Sequence, residues 1–329
     1  MAHYCTYFDS RYLSRGLTLY HSLRRVSPDC QLWVLCLDDT CYETLHALRL
    51  AGVSPLRLLE VESADPEFFA TKKSRSTLEY YFTCTPVFIS FLLSSNPNID
   101  IITYVDADIC FYKDPEILFD DFRDASVQIV PHRYSERNRA LEKWGLYNVG
   151  WVTFRRDEAG LSCLSWWREC CIEWCYDRLE GDRFADQKYL DQFPRKFSRV
   201  QVVAHHGVNV APWNLDTGAL TRSAGGELSF RGESLIFFHF HKLRQVAPSL
   251  WQTRLGDYGA SLDRATRDWL YVPYIRQLAA AEREVRALRR DEQRPQPLLR
   301  GGTRPVRALG NGVRAIAAGL RRDSISCIA

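Results

Sequence analysis

The stretch Ile101-Ile102-Thr103-Tyr104-Val105-Asp106-Ala107-Asp108 is an apolar, β-branched and aromatic run that ends in two aspartates one residue apart. It continues as Ile109-Cys110-Phe111-Tyr112. Such a run reads as a buried parallel strand. Extended chain has a side-chain period of two, so both carboxylates can face the same way. Ligand sites of open α/β sheets lie beyond the carboxyl ends of the strands. Two carboxylates held together there repel unless something neutralises them, and a divalent cation does so while also holding phosphate oxygens. The alternative at this level is a solvated pair at a strand end.

Working outward, His3 to Phe8 reads as a first strand and Tyr12 to Arg25 as a helix. Gln31 to Leu37, closed by Asp38-Asp39, is a second strand, Thr40 to Leu50 a helix, and Leu56 to Val61 a third strand. This β-α-β-α-β order is the mark of an α/β, doubly wound sheet. Thr77 to Leu93 is an aromatic helix opened or kinked at Pro86. Beyond Asp108, strands are expected at Val127 to Pro131, Trp151 to Arg155, Val200 to His205 and Leu235 to His241. Helices are expected at Leu161 to Leu179, Gln187 to Gln192 and Asp263 to Arg290, and Arg294 to Arg304 reads as a Pro/Gly/Arg linker.

The chain has 329 residues, 46% of them hydrophobic and 25% charged, which suits a folded α/β protein. A net charge of +3 argues against nucleic acid as a partner. The 11 cysteines form no CxxC pair, and Cys36, Cys84 and Cys110 sit in apolar runs. They read as small hydrophobes in a reducing, cytoplasmic protein rather than a disulfide framework. Zinc on Cys170, Cys171 and Cys175 would lack a second ligand pair. Neither a secretory signal nor a transmembrane run is expected.

Several segments carry polar chemistry. Tyr7, Asp9 and Tyr12 lie at the first strand-to-helix turn, where doubly wound folds bind nucleotides, although GxGxxG and GxxxxGK[ST] are both absent. A stacking tyrosine and an aspartate there could read a base; a helix cap with surface tyrosines is the simpler use. Asn148 with Gly150 offers a donor-acceptor amide beside a close backbone approach, or a plain turn. Asp186-Gln187 could face a sugar ring, or cap the short helix that follows. His239 and His241 share a face of an apolar strand and are candidate manganese ligands or core histidines. His205-His206 is a second histidine pair, near Asn209, Trp213 and Asn214.

In this order the pieces resemble the GT-A glycosyltransferases, and among them glycosyltransferase family 8, which includes glycogenin. The unit Tyr7 to Leu23, ending in Ser22-Leu23, is similar to that family's opening. Tyr104-Val105-Asp106-Ala107-Asp108 resembles its metal-binding DxD strand, and Asp114-Pro115 with Leu118-Phe119 its continuation. Tyr147 to Gly150 resembles the Phe-Asn-x-Gly segment, Asp186-Gln187 the Asp-Gln pair, and Phe238-His239-Phe240 the strand whose histidine completes the metal site. The resemblance covers about residues 3 to 250. It departs after His239, where the family has Gly and then Lys-Pro-Trp; here His241-Lys242-Leu243-Arg244 follows, so Lys242 and Arg244 both stand as phosphate-binding candidates. The departures point to a divergent bacterial branch.

The resemblance implies a GT-A type mixed sheet, a Rossmann-like nucleotide-binding half plus an acceptor half, with a C-terminal helical extension. It implies domains at 1–255, 256–292 and a basic tail at 293–329. It implies Mn²⁺ or Mg²⁺ on Asp106, Asp108 and His239. The donor would be a nucleotide-sugar, a UDP-hexose or UDP-N-acetylhexosamine, held by Tyr7, Asp9, Tyr12, Asp106 and Lys242. Asn148, Asp186 and Gln187 would line the sugar, and the acceptor would be a glycan or a lipid-linked sugar. Transfer in that family retains configuration, by front-face attack or through a covalent intermediate. Two rival readings remain. A haloacid-dehalogenase-type phosphatase also ends a strand in DxD, but normally has Thr or Val where Cys110 stands. A non-catalytic membrane-associated scaffold would leave the ordered polar segments without a use. Finally, arginines crowd the region from Arg283 to Arg322. Val306, Leu309, Val313, Ile316 and Leu320 recur at helical spacing, so Val306 to Arg322 reads as a basic amphipathic helix for an anionic membrane surface, or as a solvated tail.

Overall fold

The computed structural model describes residues 1–120, 122–292 and 323–326. Strands β1 (His3–Phe8), β2 (Gln31–Cys36) and β3 (Val53–Arg57) are linked by helices α1 (Leu13–Val26) and α2 (Asp39–Leu48). Asp38 caps α2, its carboxylate accepting from Cys41 N at 2.7 Å. The third strand lies earlier than the sequence pattern suggests: Leu58–Ala64 is helix α3, not strand. The Glu60 carboxylate accepts from the Arg57 amide at 2.7 Å and caps this helix, while β3, which carries Pro55, forms the sheet edge.

Helix α4 (Pro66–Thr71) leads to α5 (Thr77–Ser95), which runs through Pro86. Then come β4 (Ile101–Val105), β5 (Ile109–Phe111), α6 (Ile117–Asp120), β6 (Val127–Pro131), β7 (Tyr147–Arg155), α7 (Glu158–Glu173), α8 (Phe193–Lys196) and β8 (Val200–Val202). The central sheet has the order β3-β2-β1-β4-β7-β6-β8. The strands from β3 to β4 run parallel, while β7 inserts antiparallel between β4 and β6. Each face of β4 is covered, by α5 and α7 on one side and α1 on the other, so it is buried as its apolar run requires.

Beyond the sheet lie β9 (Leu220–Arg222), β10 (Leu228–Phe230), β11 (Glu233–Ser234), β12 (Phe237–His239), β13 (Arg244–Ala247) and β14 (Leu250–Gln252). The C-terminal helix opens as a π-helical turn at Thr266–Tyr271 and continues as α9 (Val272–Glu292). Its Ala281 and Val285 join the core beneath α1. Among the described residues, no helix is long and apolar enough to cross a membrane. The proposed helix Val306 to Arg322 lies outside the described residues. The chain's last described segment, β15 (Ser324–Ser326), pairs with β14, and Ile325 is 1% exposed. Ile325→Ala is therefore expected to cost roughly 2–5 kcal/mol in urea unfolding, as for other buried aliphatic truncations.

Candidate active site

Asp106 and Asp108 stand in the turn between β4 and β5. A long-range pairing brings the third group in: β12 runs antiparallel to β5, with His239 opposite Ile109. The Phe240 amide donates to the Asp108 carbonyl at 2.9 Å. His239 Nε2 then lies 3.0 Å from Asp108 Oδ1 and 3.7 Å from Asp106 Oδ2. The three side chains offer one ligand atom each, all within 4.8 Å of one another. Tyr104 donates its hydroxyl to Asp106 Oδ1 at 2.8 Å and sets that carboxylate's rotation.

Gly150 forms the floor. Its carbonyl accepts from the Asp106 amide at 3.2 Å. A Cβ there would stand 2.6 Å from Asn148 Oδ1, 3.0 Å from Asp106 Oδ2 and 3.2 Å from His239 Cε1. Two carboxylates and an imidazole around a space that a methyl would fill suit Mn²⁺ or Mg²⁺. Gly150→Ala is expected to weaken Mn²⁺ binding, read by isothermal titration, and to lower stability by about 1–3 kcal/mol, the cost of overpacking.

The charges are mutually adjusted. Burial would push the Asp108 carboxyl up, but the His239 imidazole outweighs it and holds Asp108 well below the usual carboxylate range. Burial, with the neighbouring Asp108 charge, leaves Asp106 raised despite the pull of His239. Burial alone would lower His239, yet the two carboxylates raise it. A cation arriving at these ligands therefore competes with a proton on His239. His241 is pushed down to about 3 by burial and by His239, so it stays neutral. Its ring lies 5.7 Å from that of His239.

Asn148, Asp186 and Gln187 converge beside this cradle. Asn148 and Gly150 lie within β7 rather than in a turn before it. The register against β6 jumps there, from Ile129↔Val152 to Val130↔Asn148. This bulge frees residues 149–151 from β6 and turns Asn148 toward the site. Asn148 Nδ2 donates to Gln187 Oε1 at 3.1 Å. Asp186 is 2% exposed and follows Ala185, which takes a left-handed φ of 46°. Thr85 donates to Asp186 at 2.7 Å, so the Tyr7 hydroxyl, 3.2 Å from Thr85 Oγ1, must donate to Thr85. Burial pushes the Asp186 carboxyl up to about 7; the Thr85 hydrogen bond opposes this and the Asp106 charge adds to it.

On the side of β1 and α1 the expected residues are only partly gathered. Tyr12 is 44% exposed, with the Arg15 guanidinium 4.6 Å from its ring centre. Asp9 caps the 3₁₀ turn Ser10–Tyr12 and accepts two bonds from the Arg11 guanidinium, at 2.8 and 2.5 Å. Lys242 sits at φ 60° with its Nζ 5.4 Å from the Tyr258 ring centre. Arg244 is committed to Gln252 Oε1, at 3.0 and 2.8 Å. His205 and His206 face Glu233, both at 3.4 Å, apart from the three-ligand group. Three contributors escaped the sequence reading. Thr85 lies mid-helix, His132 follows β6, and Arg15, in the first turn of α1, is among the cations that lower Asp108. No local pattern distinguishes them; only the pairing of distant segments places them here.

The architecture is that of the GT-A fold. The galactosyltransferase LgtC, solved with donor and acceptor sugar analogs, superposes with a TM-score of 0.50, covering 84% of this chain and 95% of LgtC at 14% identity. No family model matches the chain. YfnF of Bacillus subtilis strain 168, an uncharacterized protein, is 32% identical over 252 residues, 74% of this chain and 82% of YfnF. The chain belongs to the family of YfnF. YfnD of the same strain, also uncharacterized, is 29% identical over 276 residues, 83% of this chain and 87% of YfnD.

Proposed function

We propose that the chain is a metal-dependent glycosyltransferase that moves a sugar from a nucleotide diphosphate sugar to a glycan or lipid-linked acceptor, with retention. The observation that carries the reading is the convergence of Asp106, Asp108 and His239 over the Gly150 floor, on a GT-A sheet. Mn²⁺ or Mg²⁺ held by these three residues would act as a Lewis acid on the diphosphate as it departs. Tyr104 keeps Asp106 turned toward that position. Tyr12 is exposed to stack a base, and Arg15 on α1 and Lys242 after β12 are the cations assigned to the phosphates. Asp186, Gln187 and Asn148 bound the space for the sugar, with the Asp186 carboxyl raised by its burial and oriented by Thr85 and, behind it, Tyr7.

The donor we infer is a UDP-hexose or UDP-N-acetylhexosamine, on resemblance. The place of action is the cytoplasmic face, with the basic stretch between Arg294 and Arg322 meeting an anionic membrane surface. A flotation test of that role needs arginine replacements in the full chain, because truncation at Arg290 would also remove Ile325 from the core. The phosphatase alternative has less support, since His239 stands within 3.7 Å of both carboxylates, where an aspartyl nucleophile would need free approach.

The deciding experiment is thermal melting with UDP and Mn²⁺, followed by hydrolysis of a panel of nucleotide sugars. Nucleotide-dependent stabilisation that requires the metal supports the proposal, because a ligand that binds only the folded state stabilises it, the more so the further its concentration exceeds Kd. No shift with any nucleotide diphosphate and no turnover across the panel would refute it. Preference for a GDP- or CMP-sugar would overturn the UDP assignment.

A further inference from the structure

His132 is buried directly beyond β6, behind Asn148. Its Nε2 lies 3.3 Å from Asn148 Nδ2. Its ring is stacked on Tyr134 at 4.6 Å and 10°, and meets the edge of Trp213 at 5.1 Å. These contacts leave the imidazole little room to rotate.

The polarity of the surrounding chain follows from backbone groups at its two ends. The Gly150 amide can only donate, so the Asn148 atom 3.2 Å from it is Oδ1. The other Asn148 atom is then Nδ2, with two hydrogens to place. One goes to Gln187 at 3.1 Å, so that Gln187 atom is Oε1. This agrees with the far end, where Gln187 Nε2 donates to the Trp144 carbonyl at 3.2 Å. The second Asn148 hydrogen points at His132 Nε2, which must therefore accept. Burial favours the neutral ring that can do so, pushing His132 down to about 3. A proton on Nε2 would set two donors against each other.

The orientation has a consequence for the site. Asn148 Oδ1 and Asp106 Oδ2 flank the same point above Gly150, at 2.6 and 3.0 Å from where a Cβ would lie. With this polarity the amide presents an acceptor oxygen to the donor sugar; reversed, it would present two donors and break with Gly150 and Gln187.

We propose that His132 is a positioning residue: its Nε2, held as an acceptor, locks the Asn148 amide, and through it Gln187, in the polarity the sugar site requires. Its effect on rate rests on the glycosyltransferase reading above; its effect on the amides does not.

The test uses the full chain with ¹⁵N-labelled side-chain amides, and the variants His132→Phe and His132→Gln. Phenylalanine keeps the stacking and removes the acceptor; glutamine can return an oxygen close to the Nε2 position. In the wild type the Asn148 amide protons should exchange slowly with solvent. In His132→Phe they should shift and exchange faster, and in His132→Gln protection should return. With a nucleotide sugar that the wild type turns over, His132→Phe should lose about tenfold or more in kcat, the size of one lost buried acceptor. Its KM for the donor should stay within about twofold, since nucleotide contacts are untouched, and His132→Gln should recover most of the loss. Unprotected Asn148 amide protons in the wild type would overturn the proposal even if His132→Phe failed to fold. So would unchanged amide signals in a folded His132→Phe, or an equal defect in His132→Gln, which would mean that ring volume matters and the acceptor does not. A wild type that turns over no nucleotide sugar would sink the glycosyltransferase reading, while the amide signals would still judge the lock.

Discussion

Asp108→Asn is expected to reduce metal-dependent sugar transfer by about 10³-fold or more, the equivalent of several kcal/mol of charge stabilisation at the leaving diphosphate. Asp106→Asn should do the same. Both carboxylates sit in a turn past the end of β4, and neither fills the core. Asp106 is held raised mainly by its burial, with the Asp108 charge adding to it, so Asp106→Asn relieves an unfavourable charge in the metal-free protein, while Asp108→Asn relieves the same repulsion but gives up the contact with His239. Both variants should therefore unfold cooperatively, with nucleotide-dependent stabilisation by Mn²⁺ lost. His239→Ala should lose nearly as much activity, because its Nε2 would be the third ligand atom; His241→Ala should lose less, since its ring stands 5.7 Å from that of His239. Unchanged Mn²⁺ dependence in both aspartate variants would end the metal assignment. A larger defect in His241→Ala than in His239→Ala would show that the other histidine ligates.

Asp186→Asn should alter how stability depends on pH. The Asp186 carboxyl titrates at about 7 in the folded chain, against an ordinary value of 3.8. Between those values the folded state binds the proton more tightly than the unfolded state does. The stability linked to Asp186 is thus fully present below pH 4, declines as pH rises toward 7, and is flat above. A shift of this size corresponds to roughly 4 kcal/mol. Asparagine stays neutral and keeps an oxygen for the Thr85 hydroxyl, so the variant should escape the decline. Urea unfolding at steps from pH 4 to pH 7.5 should show the variant gaining on the wild type across the window. A constant difference between the two would mean that Asp186 ionises normally. Transfer should fall in the same variant, because the amide cannot gain or lose the proton poised there.

Much of this molecule is written in short segments. The runs at His3–Phe8, Gln31–Cys36 and Ile101–Val105 have the β-branched composition of strands covered on both faces, and they form adjacent parallel strands. The DxD turn, the Asp-Gln pair opening a 3₁₀ helix and the apolar strand bearing His239 are each visible in a handful of residues. Where a segment could serve two structures, the sequence pattern misled. Leu56 to Val61 has a strand's composition, yet Glu60 supplies a helix cap three residues in, and the local hydrogen bond decides. Tyr147 to Gly150 looks like a turn and is a bulged strand, because β6 picks up Tyr147 and Asn148 after a slip in register, while β4 pairs from Trp151 onward.

By itself the sequence determined the α/β class, the strands β1, β2, β4 and β6 of the central sheet in their chain order, and the placing of Asp106 and Asp108 at a strand end. Those properties depend on periodicity and composition within a few residues, where side chains and backbone act on their own neighbours. The tertiary structure alone decided that His239, 131 positions beyond Asp108, comes within 3.0 Å of it, that Thr85 and Tyr7 support Asp186 from another helix and strand, and that His132 faces Asn148. These are contacts between segments far apart in the chain. Their geometry comes from sheet register, a bulge and helix packing, and the field that sets each carboxyl and imidazole depends on burial that no single segment possesses before the chain has folded.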